Sequence, residues 1–155
     1  MNQLFLIANW ADFLGQTALM AAATVAALRW GGPAARLAAA VNVVAFAVTT
    51  PAGFLSAEDA VRMWVVCGLD LLAAAGFLYA AARYNSLWIG VAVLAQGIQA
   101  AVDVIYFGHG SSFTRVHHFL FGAVENAFTW AIQFAILGAA LADRRRLALQ
   151  GAVRV

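Results

Sequence analysis

Residues 87–107 read LWIGVAVLAQGIQAAVDVIYF. The run has the length, about 20 residues, at which an apolar helix crosses a hydrocarbon core, and Asp103 is its only charge. Gln96, Gln99 and Asp103 recur at i, i+3 and i+7, so they share one face of that helix. Turn-forming residues bracket the run, Asn85-Ser86 before it and Gly108-His109-Gly110 after it. The stretch therefore reads as a membrane-spanning helix with a polar seam.

Working outward, polar punctuation cuts four further spans from the chain. One covers about 4–28 and ends at Arg29-Trp30-Gly31-Gly32-Pro33, and the next covers 34–55 and ends at Ser56-Ala57-Glu58-Asp59. A third runs over 60–82 to Arg83-Tyr84, and the last over 116–142 to Asp143 and the run Arg144-Arg145-Arg146. Pro51 should kink the second span or end it early. The expected fold is all-α: an integral membrane bundle of five transmembrane helices, with 1–155 forming one domain and no linker or repeat. The chain is 65% hydrophobic and 10% charged, against about 25% charged in soluble domains. Its mean hydropathy is +0.84. The net charge of +2 then gives no reason to expect a nucleic-acid partner. Cys67 is the single cysteine, so no internal disulfide forms. The start of the first span lacks basic residues and is interrupted by Asn9, Asp12 and Gln16, which is unlike a signal peptide.

Every basic residue is Arg, and their placement sets orientation. Across five spans, one side would hold Arg29, Arg36, Arg83, Arg144–146 and Arg154, the other only Arg62 and Arg115. The expectation is a multi-pass protein of the cell (inner) membrane, N-terminus outside and C-terminus cytoplasmic. Abundant Ala without Lys fits a GC-rich bacterial gene.

Four carboxylates fall inside these spans: Asp12, Asp70, Asp103 and Glu125. An ionisable group at such depth costs about 2.5–3.5 kcal/mol on insertion scales. Each must stay protonated, hold a cation, or face a wet or ligand-filled cavity. Asn9, Asp12 and Gln16 share a face of the first helix, and His118, Glu125 and Thr129 a stripe of the fifth, with Asn126 alongside. From the helical rise, Asp12 and Gln99 lie about 12 Å deep, Glu125 about 14 Å and Asp70 about 15 Å. One shared pocket formed by Asp12, Asp103 and Glu125 is expected, with Asp70 a looser member because no polar residue repeats along its face. The plainer reading is that Gln96, Gln133 and Asn42 join helices by hydrogen bonds, and that Asp103 reaches interfacial water. His117 and His118 read equally as a helix start or as the rim of the pocket. Adjacent on a helix, they point about 100° apart, so no metal is expected there, and no cofactor. Trp10, Trp30, Trp64 and Trp88 read as interfacial anchors, while the deeper Trp130 either packs or faces a cationic centre.

The string Gln99-Ala100-Ala101-Val102-Asp103-Val104-Ile105-Tyr106-Phe107 is followed by a polar loop and a helix carrying Asn126 and Trp130. This resembles the end of the emopamil-binding protein family, the sterol Δ8–Δ7 isomerases of the wider EXPERA group. The resemblance implies five spans around a lipophilic pocket and a protonation-driven isomerase. The departures are specific. Those isomerases use a His and a Glu on the second helix, where this chain has Asn42, Thr49 and Thr50. Their third-helix Glu falls near Met63, and Trp130 stands one position late.

The expected function is thus a membrane isomerase or cyclase acting on a lipophilic isoprenoid or sterol-like substrate. Carboxylic-acid protonation would generate a carbocation that nearby carboxylate and the Trp130 face stabilise. Glu125 is the expected donor, with Asp12 or Asp103 its partner. Gln99, Asn126, Trp130, Asn9 and Asp70 would line the substrate site. Two alternatives stand beside it: a lipophile-binding protein or accessory subunit of a membrane complex, and a small proton- or cation-coupled transporter. Substrate identity and oligomeric state are not readable from sequence.

Overall fold

The computed structural model describes residues 3–55, 59–108 and 115–152, with side chains over 10–49, 65–105 and 122–150. Five helices follow one another: α1 (Gln3–Trp30), α2 (Pro33–Leu55), α3 (Asp59–Tyr84), α4 (Leu87–Gly108) and α5 (Arg115–Ala152). Four of them carry stretches long and apolar enough to cross a membrane: Trp10–Trp30, Val65–Tyr84, Leu87–Ile105 and Gly122–Gln150. The apolar part of α2 within the described side chains, Pro33–Thr49, is shorter.

The turns explain the boundaries. Pro33 opens α2 at the first helical position, where its missing N–H costs nothing. Asn85 ends α3 in the left-handed region at φ 47°, a conformation Asn tolerates well. The Ser86 N–H then reaches back to the Ala81 carbonyl at 3.1 Å, the bond that closes a Schellman-type helix end. One expected boundary holds and one shifts. The helix of α2 continues through Pro51 to Leu55, the expected end of that span. The fifth helix runs ten residues past the expected end at 142, to Ala152. Residues 144–150 (RRRLALQ) are strong helix formers with no breaker among them, so leaving the apolar region does not stop the helix.

Chain neighbours pack side by side, α3 against α4 most extensively, and α5 closes the ring between α4 and α1. It also touches α2 across the middle, so α5 meets three helices. The core is mostly alanine: Ala23, Ala26, Ala27, Ala38, Ala39, Ala73, Ala80, Ala92 and Ala140 surround Phe77, Ile89 and Ile136. Large apolar side chains point outward instead, Leu72 being 69% and Leu94 68% exposed. A soluble bundle places these the other way round. Small residues at helix contacts let backbones approach closely, the packing that serves helices in lipid. The outer surface is suited to hydrocarbon.

Candidate functional site

Polar side chains gather in two neighbouring networks, separated by α5. The first joins α3, α4 and α5. Gln96 donates its Nε2–H to Asp70 Oδ1 at 2.8 Å. One turn along α4, Gln99 Nε2 donates to Thr129 Oγ1 at 3.0 Å and to the Glu125 backbone carbonyl at 3.1 Å. It also approaches Glu125 Oε2 at 3.4 Å. Carboxylate oxygens of Asp70, Asp103 and Glu125 all lie within 4.8 Å of one another. Asp103 is almost wholly buried, at 2% exposure, and Glu125 Oε1 is buried without a hydrogen-bond partner among the described residues.

Proximity sets these three groups against one another. Like charges about 4 Å apart repel by about 4 kcal/mol even at an effective dielectric constant of 20. The triad needs a shared proton or a bound cation to offset that repulsion. Its oxygens are also close enough together for one hard cation to reach all three, the ligand type that Mg²⁺ or Ca²⁺ prefers.

A cavity of about 140 Å³ opens beside the triad. Asp70, Gln96, Gln99, Glu125 and Thr129 form its polar side; Asn42 and Thr49 of α2 add hydroxyl and amide groups, and Phe46 and Ile132 supply apolar wall. Ala45 lines this cavity and also a larger apolar groove of about 350 Å³ between α2 and α3. Val41, Val44, Val48, Leu69 and Leu72 wall that groove. The polar cavity and the apolar groove thus share Ala45 in their walls. Cys67, buried one turn before Asp70 on α3, lies on the same side.

The second network ties α1 to α5. Gln16 Nε2 donates to Asp12 Oδ2 at 2.8 Å and to Asn126 Oδ1 at 3.0 Å. The Trp130 indole N–H donates to Asp12 Oδ1 at 3.0 Å, and its ring stacks on Phe134 with centroids 5.8 Å apart. Gly15 makes room for that indole: a Cβ there would stand 3.0 Å from the Trp130 ring.

The expected pocket is therefore redrawn. Glu125, Asp103, Gln99 and, more intimately than expected, Asp70 come together. Asp12, Asn126 and Trp130 form the α1–α5 network and do not line the cavity. The reason is angular: Glu125 and Asn126 are consecutive, so α5 turns them about 100° apart, one toward α4 and the other toward α1. The sequence spacing that put both on one seam was too coarse to separate them. The side chains of Asn9, His117 and His118 lie outside the described residues. The contribution of α2, through Asn42, Ala45 and Thr49, was missed. Asn42 and Thr49 stand at i and i+7, a seam legible in the sequence.

Comparison with family models, with curated proteins and with solved structures found no match for this chain.

Proposed function

We propose that this protein is a membrane-embedded isomerase or cyclase of a lipophilic, isoprenoid or sterol-like alkene, working by proton transfer at the Asp70–Asp103–Glu125 triad. The observation that carries the reading is the packing of three carboxyl groups within 4.8 Å beside a polar cavity that shares Ala45 with an apolar groove. A site holding both a carboxylic acid and its conjugate base can give and remove a proton in one visit of the substrate.

Glu125 donates its proton to an alkene carbon, leaving a carbocation on the neighbouring carbon and a carboxylate on Glu125. The Asp70–Asp103 pair and the Phe46 ring face that positive charge. Loss of a proton from an adjacent carbon to the Asp70–Asp103 pair regenerates an alkene at a new position. Attack by a second alkene of the same substrate would instead close a ring and move the charge to a new carbon, beside which a proton is then lost to the same pair. Proton passage from the pair back to Glu125 resets the site. Gln96 and Gln99 hold Asp70 and Glu125 in place by donating to them. The substrate's hydrocarbon lies in the α2–α3 groove. No cofactor enters this scheme. On this reading the chain is a rebuilt relative of the EXPERA isomerases, with α2 as a fifth span and the arginine-rich end in the cytoplasm of the bacterial cell.

Deuterium labelling is the direct test. Lipid that co-purifies with the protein is identified by mass spectrometry, and the complex is incubated in D₂O. An isomerase working by protonation and proton loss writes deuterium into the hydrocarbon, and Glu125→Gln should stop it. Bound lipid that never takes up deuterium would mark a lipophile-binding protein instead. The triad's reach for a cation favours transport as the second reading. Cation or proton flux into liposomes, abolished by Asp70→Asn, would establish it.

A further inference from the structure

At the opposite end of the bundle from Trp10 and the start of α1, residues from three helix ends enclose a hollow of about 410 Å³. Arg29 comes from the end of α1, Arg36 from the first turns of α2, and Arg146 from the extension of α5 beyond its expected end. Gly31 and Gly32 also line it, at the positive end of the α2 dipole. One acid shares the hollow. Asp143 accepts the Gly32 N–H at 2.8 Å through Oδ2, and Arg146 approaches its Oδ1 at 4.0 Å. Asp143 thereby holds the α1–α2 turn against α5, while Arg29 and Arg36 have no ion-pair partner among the described residues. Trp30 also lines the hollow, with the Arg144 and Arg29 guanidinium groups 4.5 and 5.7 Å from its ring centroid.

We propose that this hollow binds the phosphoryl headgroup of an anionic phospholipid. Arginine offers several N–H donors in a planar fork that fits phosphate oxygens, and three arginines from separate elements line one concave space. Basic pockets between helices at the membrane boundary recognise lipid phosphates in this way. The solvated alternative, arginines that only mark the cytoplasmic side, needs no concavity and predicts that any arginine at this end is equivalent. Arg83 supplies the contrast: it sits at the end of α3, outside the hollow.

The test uses the full chain in nanodiscs of phosphatidylcholine doped with phosphatidylglycerol, reading retained lipid by native mass spectrometry. The wild type should hold phosphatidylglycerol about tenfold or more in preference to phosphatidylcholine. Arg36→Gln with Arg146→Gln should lose that preference, and Arg83→Gln should keep it. Arg146 also approaches Asp143, so Arg29→Gln, which leaves that tether intact, provides a second variant and should weaken retention on its own. Equal loss in Arg83→Gln, or no lipid preference in the wild type, would overturn the proposal. Displacement of the lipid by millimolar inorganic phosphate would overturn it too, identifying a soluble phosphate as the ligand.

Discussion

Gln133 is wholly buried, and neither amide atom has a hydrogen-bond partner among the described residues. An unsatisfied buried amide costs about 1–3 kcal/mol. Gln133→Met keeps the volume and removes the orphaned groups, so the thermal midpoint in detergent should rise. A fall would reveal a water held by the amide. At the triad, Glu125→Gln should lower turnover by about 10²–10⁴-fold while the protein stays folded, since a neutral amide suits hydrocarbon better than a charge. Asp12→Asn separates chemistry from structure. It weakens the bonds from Gln16 and Trp130 and should cost about 1–2 kcal/mol of stability. Turnover per folded molecule should hold. A turnover loss equal to that of Glu125→Gln would return Asp12 to the reaction.

At the level of helices, the turns are the sensitive points. A Cβ on Gly31 would stand 2.7 Å from the Ala27 carbonyl and 2.9 Å from the Ala35 Cβ. Gly31→Ala should therefore destabilise by about 1–3 kcal/mol, read as a lower midpoint in thermal unfolding. Ala45→Leu acts elsewhere, where chamber and groove meet. It should raise KM for the lipid substrate with little change in unfolding temperature, whereas an unchanged KM would exclude the groove as the substrate's route. The α3–α4 turn also shows why Asp70 looked isolated in the sequence. Its own face repeats no polar residue. Folding back at Asn85-Ser86 brings α3 residue 70 to the level of α4 residues 96–103, and the partners Gln96 and Asp103 lie on the neighbouring helix. Periodicity reads one helix at a time, so the α4 seam was legible and its pairing with Asp70 was not. The end of α5 was hidden for a different reason: hydropathy marks where a helix leaves lipid, not where it stops being a helix.

For the whole molecule, arginine placement gives the orientation its test. A cysteine introduced after Arg146, in a chain with Cys67 replaced by Ala, should resist an impermeant maleimide in intact cells and react after permeabilisation. Labelling from outside would reverse the orientation. The helix count and the loop positions were legible because polar residues punctuate long apolar runs. The ring closure by α5 was not, because contacts between α5 and α1 depend on which small residues face inward, and alanines occupy every face of these helices. The same alanines have a thermodynamic consequence. Leu or Met in a core surrenders rotamer freedom when it becomes ordered, whereas Ala has none to lose. The interior of this bundle therefore orders at little side-chain entropic cost. The carboxyl groups are mounted on that interior, so on the proposed reading little of a ligand's binding energy would go into assembling the site.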